Sequence, residues 1–323
     1  MEIILAIDGG GSRTRCLAIT RDARILGAGA GGASNHLLVD EKTVKASLDE
    51  AIDAALAQAG LEASDVVWIS AGLAGVDFDG AGACEMNGLF RELGFMNTII
   101  NGDMVIAHAG ALNVQAGVLA LAGTGSSILG IGTDGTRLKV GGWGPIYGDE
   151  GSAYRIAQNC LRAAARSFDG RGEKTALLDG ITEALGLKDF TETVGRIYIE
   201  RMESREIAAL SRMAYEIAEK GDETAVEIFL QAGAELAESV AAALWRLELN
   251  DTATKISYQG SVLESCALVR EKFAEALKKD FPQAEVVAPR FKPVIGAFLL
   301  GCRALGWPLD ENDLKALEKG EIE

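Results

Sequence analysis

Histidine is almost missing from this chain: His36 and His108 are the two among 323 residues. Histidine-rich metal centres are therefore excluded, and any metal must be held by oxygen ligands, with magnesium the default ion. The five cysteines, Cys16, Cys84, Cys160, Cys266 and Cys302, contain no CxxC pair and are odd in number. Neither a disulfide framework nor a zinc or iron–sulfur cage is indicated, and a reducing cytoplasm fits. Lys and Arg number 31 against 47 Asp and Glu, a formal charge of −16. That balance disfavours nucleic acid and anionic membrane surfaces as partners. No apolar run nears the roughly 18 residues of a membrane span, and Met1–Leu5 has neither the basic region nor the long apolar core of a signal peptide. Proline occurs five times, four of them beyond residue 280, so no proline-rich linker divides the chain.

Glycine, by contrast, is abundant and unevenly spread: 27 of 39 lie in residues 1 to 151. The glycine-rich part reads as short strands joined by tight turns. From Ser152 to about Asn250 glycine becomes sparse and Ala, Glu, Leu and Arg recur at helical spacing, which predicts a helical block. At roughly 150 residues per domain the length suits two domains.

The strongest signal is an internal repeat. Leu5-Ala6-Ile7-Asp8-Gly9-Gly10-Gly11-Ser12 lies over Leu119-Ala120-Leu121-Ala122-Gly123-Thr124-Gly125-Ser126 at a constant offset of 114 residues. Each copy continues as a strand pair, turning at Arg21–Arg24 in the first and at Thr133–Thr136 in the second, where Asp134-Gly135 is a hairpin signal. Downstream, the first half offers strands at Val66–Ser70 and Thr98–Ile100 around a helix near Ala83–Leu93. The second offers strands at Lys255–Tyr258 and Glu285–Val287 around a helix over Val262–Lys279. The pattern predicts two similar α/β domains facing one cleft, with the helical block inserted in the second.

A glycine-rich bend leaves backbone N–H groups open to phosphate oxygens, and two such bends can grip a polyphosphate. Asp8 stands where the second copy has Ala122; one carboxylate beside phosphates recruits Mg²⁺ through its water shell. Thr14, Thr124 and Ser126 add hydroxyl donors, while Arg13 and Arg15 could equally face solvent. A Walker A loop is absent, and neither glycine run has the GxGxxG spacing of a dinucleotide site.

These residues resemble the sugar kinase, heat-shock and actin ATPase superfamily, and more closely the N-acetylglucosamine kinase branch of the BadF/BadG/BcrA/BcrD ATPase family. Asp8 to Thr14 and Leu121 to Ser126 match its phosphate motifs, and four further segments carry the resemblance: Ser34-Asn35-His36, Asn101-Gly102-Asp103, Gly141 to Gly144 running into Gly148 to Tyr154, and Gly260-Ser261-Val262. The resemblance implies two ribonuclease H-like (actin/hexokinase-type) α/β domains around an ATP cleft. The first spans 1–116, completed by the C-terminal helix after about 293; the second spans 117–292, with its insertion over about 152–250. It implies an ATP-dependent amino-sugar kinase acting on the 6-hydroxyl of N-acetylglucosamine, with ATP and Mg²⁺ as cofactors, a small sugar as partner, a homodimer and a cytoplasmic location.

Phosphoryl transfer to a hydroxyl needs a base in line with the γ-phosphate. Asp103, just past a strand, is the candidate catalytic base, against the alternative of a plain helix N-cap. The nucleotide set is Gly10, Gly11, Ser12, Thr14, Gly123, Thr124, Gly125, Ser126, Gly260 and Ser261, with Gly260-Ser261 alternatively a simple strand-to-helix turn. The resemblance implies a sugar set of Asn35, Asp103, Gly142, Trp143, Asp149 and Glu150. Asp149 and Glu150 could instead cap the helix at Ser152, and Trp143 could be core filler. Both histidines read as structural, His36 as support for Asn35. Glucosamine, N-acetylmuramic acid and glucose remain open as substrates, as does a different class, a redox-activator ATPase with a subunit-bridging iron–sulfur cluster, which the lack of a close cysteine pair disfavours.

Overall fold

The computed structural model describes residues 2–320. In chain order the first half comprises β1 (Ile3–Gly9), β2 (Thr14–Thr20), β3 (Ile25–Gly31), α1 (Glu41–Ala59), β4 (Val66–Leu73), α2 (Ala83–Glu92), β5 (Thr98–Gly102) and α3 (Asp103–Leu112). There follow β6 (Gly117–Ala122), β7 (Ser126–Ile131), β8 (Arg137–Gly141), α4 (Ala153–Phe168), α5 (Leu177–Ala184), α6 (Ser204–Glu219), α7 (Glu223–Arg246), β9 (Lys255–Gln259), α8 (Ser261–Ser265), α9 (Ala267–Asp280) and β10 (Glu285–Val287). Helices α10 (Pro293–Leu305) and α11 (Glu311–Lys319) close the chain. Among the described residues no helix is long and apolar enough to cross a membrane.

The chain divides into two compact units, one of residues up to Ala116 with those from Ala288 onward, the other Gly117–Val287. Each holds a five-stranded mixed sheet, ordered β3-β2-β1-β4-β5 in the first and β10-β9-β6-β7-β8 in the second. In both, the leading strand runs antiparallel to the next and parallel to a later strand.

Strand β1 shows why the first sheet is covered on both faces. Ile3, Leu5 and Ile7 pack with Val44, Leu48 and Phe90 of α1 and α2. Ile4 and Ala6, pointing the other way, pack with Ile106, Ile295 and Phe298 of α3 and α10. Alternation of side chains along a strand produces this split, and each fully buried Ile or Leu is worth about 1.5–3 kcal/mol. On β3, glycines at every second position bring α1 against bare backbone: a Cβ on Gly27, Gly29 or Gly31 would overlap the carbonyls of Ala55, Ala51 or Ser47. Asp40 caps α1 by accepting from Thr43 N at 2.8 Å.

In the second unit the inward residues of β6 and β9, among them Val118, Ala120 and Ile256, pack with Ile156 of α4, Val240 of α7 and Phe273 of α9. The helical block over Ser152–Asn250 is present as α4 to α7. The single helix expected over Val262–Lys279 is instead two, α8 and α9. Cys266, in extended conformation between them, interrupts the helical backbone.

Candidate functional site

In the first unit, parallel register sets the carboxyl edge of the sheet level. Gly9 pairs with Leu73, and Leu73 with Gly102. Asp8 precedes that row by one residue on β1, and Asp103 follows it by one residue beyond β5, two strands away. Adjacent strands lie about 4.8 Å apart, so the two backbones are roughly 10 Å apart and carboxylate side chains can approach one another across β4. Burial, and then the negative charge of Asp103, push the Asp8 carboxyl up to about 6, against a smaller lowering by Arg13.

The bend from Gly10 to Arg13 closes on itself, Gly10 N donating to the Arg13 carbonyl at 2.9 Å. Among the described residues the amides of Gly11 and Ser12 have no backbone partner, and both residues are exposed. Ser34 N donates to the Gly10 carbonyl at 3.0 Å, which ties the segment carrying Asn35 to the bend. Asn35 Oδ1 accepts from Leu37 N at 3.0 Å, so its Nδ2 is the group able to meet a ligand. Gly75, with a φ of 96°, lies against this segment: a Cβ there would come within 2.8 Å of Asn35 Oδ1 and of His36 Nδ1. Asp103 is the first residue of α3, capped by Gly102, and its Oδ1 accepts from Met104 N at 2.8 Å. It is therefore not the N-cap, the position that Gly102 occupies.

In the second unit the bend between β6 and β7 repeats this device. Gly123 N donates to the Gly125 carbonyl at 2.9 Å, and the amides of Thr124 and Gly125 have no backbone partner among the described residues. The first turn of α4 is spent on the bend: Ala153 N donates to the Gly123 carbonyl at 2.9 Å and Tyr154 N to the Thr124 carbonyl at 3.2 Å. Gly260, with a φ of 98°, abuts the same bend, since a Cβ would overlap the Ala122 carbonyl. Ser261 follows it and opens α8.

Asp149 is buried and left-handed, with a φ of 57° that a non-glycine residue adopts only where its surroundings hold it. A Cβ on Gly125 would lie 2.8 Å from Asp149 Oδ2, so the acid sits against the bend. Helix α4 is capped by Ser152, which accepts from Arg155 N at 3.2 Å, and neither Asp149 nor Glu150 serves as its cap. Glu150 is half-buried. Trp143 is 68% exposed, which excludes core filler. It stands among Gly141, Gly142 and Gly144, all at positive φ.

Two expected hydroxyl donors are committed elsewhere. Thr14 is fully buried and its Oγ1 reaches the Gly32 carbonyl and Ser34 Oγ, each at 2.8 Å, so it braces the loop instead of facing phosphate. Ser126 Oγ donates to the Glu150 carbonyl at 2.7 Å. Thr124 remains exposed. The sequence reading missed a cavity of about 500 Å³ in this unit, lined by Thr124, Ser261 and Val262 together with Arg212, Tyr215 and Glu216 of α6. Amphipathic spacing identifies α6 as a helix, but it gives no sign that its outer residues wall a pocket beside the bend.

Among the described residues no group of three or more His, Cys, Asp or Glu side chains is arranged to hold a metal. A cation would instead rest on Asp8 through water and on phosphate oxygens of a nucleotide. The raised Asp8 carboxyl fits such an ion, because added positive charge would offset the repulsion from Asp103.

Comparison with known proteins relates the chain to a family. An N-acetylmuramic acid/N-acetylglucosamine kinase of Clostridium acetobutylicum is 32% identical over 301 residues, 93% of this chain and 98% of that protein. An N-acetyl-D-glucosamine kinase of Dictyostelium discoideum is 28% identical over 93% of this chain and 97% of its own. A crystal structure of a Chromobacterium violaceum protein, provisionally classed as an N-acetylglucosamine kinase, superposes with a TM-score of 0.73 at 26% identity, covering 92% of this chain and 98% of that one. The sequence profile of the BadF/BadG/BcrA/BcrD ATPase family matches residues 5–301, and the chain belongs to that family.

Proposed function

We propose that the protein is an ATP-dependent amino-sugar kinase that phosphorylates N-acetylglucosamine at its 6-hydroxyl. The observation that carries this reading is the pair Asp8 and Asp103 at one sheet edge, beside a bend whose Gly11 and Ser12 amides are open. In this reading one acid holds a hydrated cation and the other takes a proton. Kinship with kinases of N-acetylmuramic acid and N-acetylglucosamine supports the substrate class.

In the proposed reaction Asp103 accepts the proton of the sugar 6-hydroxyl as that oxygen attacks the γ-phosphorus. A new O–P bond forms, the bond to the β-phosphate oxygen breaks, and its electron pair leaves with ADP. Open amides at Gly11, Ser12, Thr124 and Gly125 bind phosphate oxygens. The cavity beside Thr124 and Ser261 takes the nucleoside, with Tyr215 and Arg212 as wall. Asn35 and Asp149 hydrogen-bond sugar hydroxyls, with Glu150 beside them, and Trp143 lies against the pyranose C–H face. Mg²⁺, held by Asp8 through water, would supply neutralisation of the phosphate charge.

A coupled ADP-release assay across N-acetylglucosamine, N-acetylmuramic acid, glucosamine and glucose, with the product analysed for the position of its phosphate, tests the reading. ADP release that no sugar stimulates would overturn it, and phosphate on another hydroxyl would overturn the regiochemistry.

A further inference from the structure

A cavity of about 310 Å³ opens in the first unit, on the face of β2 and β3 that turns toward α10. Leu17, Ala28 and Val294 form apolar wall, Arg13, Arg15 and Lys292 line it as well, and among the described residues no Asp or Glu does. In a chain with 47 acids and 31 bases this is a local reversal of sign.

The strand pattern explains the space. Gly27, Gly29 and Gly31 present their bare side to α1, so alternation sends Ala28 and Ala30 to the opposite face, where a single methyl each leaves room. Arg15 pairs with Ala30 and Leu17 with Ala28 across the ladder. Lys292 is the N-cap of α10, whose first turn carries no acid, so the positive end of the helix adds to the same field. Among the described residues neither Arg13 nor Arg15 makes an ion pair.

We propose that this cavity binds a phosphate monoester of hexose size and, through Arg13, weakens the binding of ATP. A phosphate monoester is close to a dianion at neutral pH, and arginine forks meet it in bidentate fashion, which suits three cations better than a single carboxylate does. The volume lies at the lower end of small-ligand pockets, enough for a pyranose whose C–H face meets the apolar wall. Arg13 links cavity and bend: its carbonyl holds the Gly10 amide at 2.9 Å, and its charge reaches Asp8. An anion that draws the guanidinium toward the cavity alters the field beside the bend. The coupling clause rests on the kinase reading; the binding clause does not.

Equilibrium dialysis with glucose 6-phosphate, needing no turnover, reads the site directly. Saturable binding to the wild type, weakened at least tenfold in both Arg15→Gln and Lys292→Gln, is expected; no binding, or equal binding in the variants, would overturn the site. Inorganic phosphate binding as tightly as glucose 6-phosphate would overturn the hexose-sized body. Initial rates at saturating amino sugar then test the coupling. Glucose 6-phosphate should raise the apparent KM for ATP at least threefold in the wild type and leave it unchanged in the two variants, whose uninhibited rates stay within twofold of wild type. Binding without that rise overturns the coupling, and equal inhibition in the variants reassigns the effect to the substrate site. Should no sugar be phosphorylated, the dialysis result still stands for the site.

Discussion

Asp8 is held by the fold in a place that disfavours its charge. Burial and the neighbouring Asp103 raise its carboxyl to about 6, so the folded chain holds a proton there more tightly than the unfolded chain, whose carboxyl titrates near 3.8. Between those values the native state binds more protons, so this group lowers stability as pH rises from about 4 to above 6. Asp8→Asn should therefore stabilise the protein at pH 7.5 in EDTA by on the order of 1–3 kcal/mol, read as a higher melting temperature, and the gain should vanish near pH 4. Melting curves of both proteins at the two pH values check this, and a variant that is less stable at pH 7.5 would show that the carboxylate is stabilising where it stands on β1. Asp103 calls for a different measurement. If it accepts the sugar proton, Asp103→Asn lowers kcat by roughly 10² to 10⁴ while sugar KM changes far less. Steady-state kinetics separate the two parameters, and near-normal turnover would move the base elsewhere.

At the scale of elements, the glycines of β3 make a stringent prediction. Gly29→Ala places a methyl where the Ala51 carbonyl of α1 already lies, with backbone on both sides and no side chain able to yield. The variant should lose about 2 kcal/mol or more in urea unfolding, without a specific effect on nucleotide affinity. That contact shows where sequence reading runs out. The two hairpins and their glycine bends were legible because strand alternation and a repeat at fixed offset are local signals, and the strands observed as β4, β5, β9 and β10 follow the same logic. The small residues of α10 have a packing reason: a Cβ on Gly301 would lie 3.1 Å from the Ser70 side chain of β4. Helix α1 itself drew no attention in the sequence, although Asp40 before it and Gly60 after it are ordinary caps. The break at Cys266 was invisible as well, because neither Gly nor Pro marks it. For the site, the acids and glycines could be named from the repeat. The commitment of the Thr14 and Ser126 hydroxyls to carbonyls could not, since each partner lies 18 or 24 residues away.

For the whole molecule the open question is what stands at C2 of the sugar. An N-acetyl group brings a methyl and an amide, needing a small recess and a hydrogen-bond partner, whereas glucosamine brings a cation that favours an acid. The charge of −16 attracts cations in general, but net charge says little about one pocket. The local geometry argues more directly. Gly141, Gly142 and Gly144 leave room and backbone amides around Trp143, whose indole is 68% exposed and so available as a wall. Asp149, the buried acid of this region, is packed against Gly125 in a left-handed conformation, which places it with the bend. An apolar wall with small neighbours favours the acetyl methyl. We therefore expect kcat/KM for N-acetylglucosamine to exceed that for glucosamine by at least about tenfold, the equivalent of about 1.4 kcal/mol in differential transition-state binding. Parallel initial-rate series at pH 7.5 decide it. A higher value for glucosamine would assign an acid to the C2 position while leaving phosphoryl transfer to an amino sugar intact.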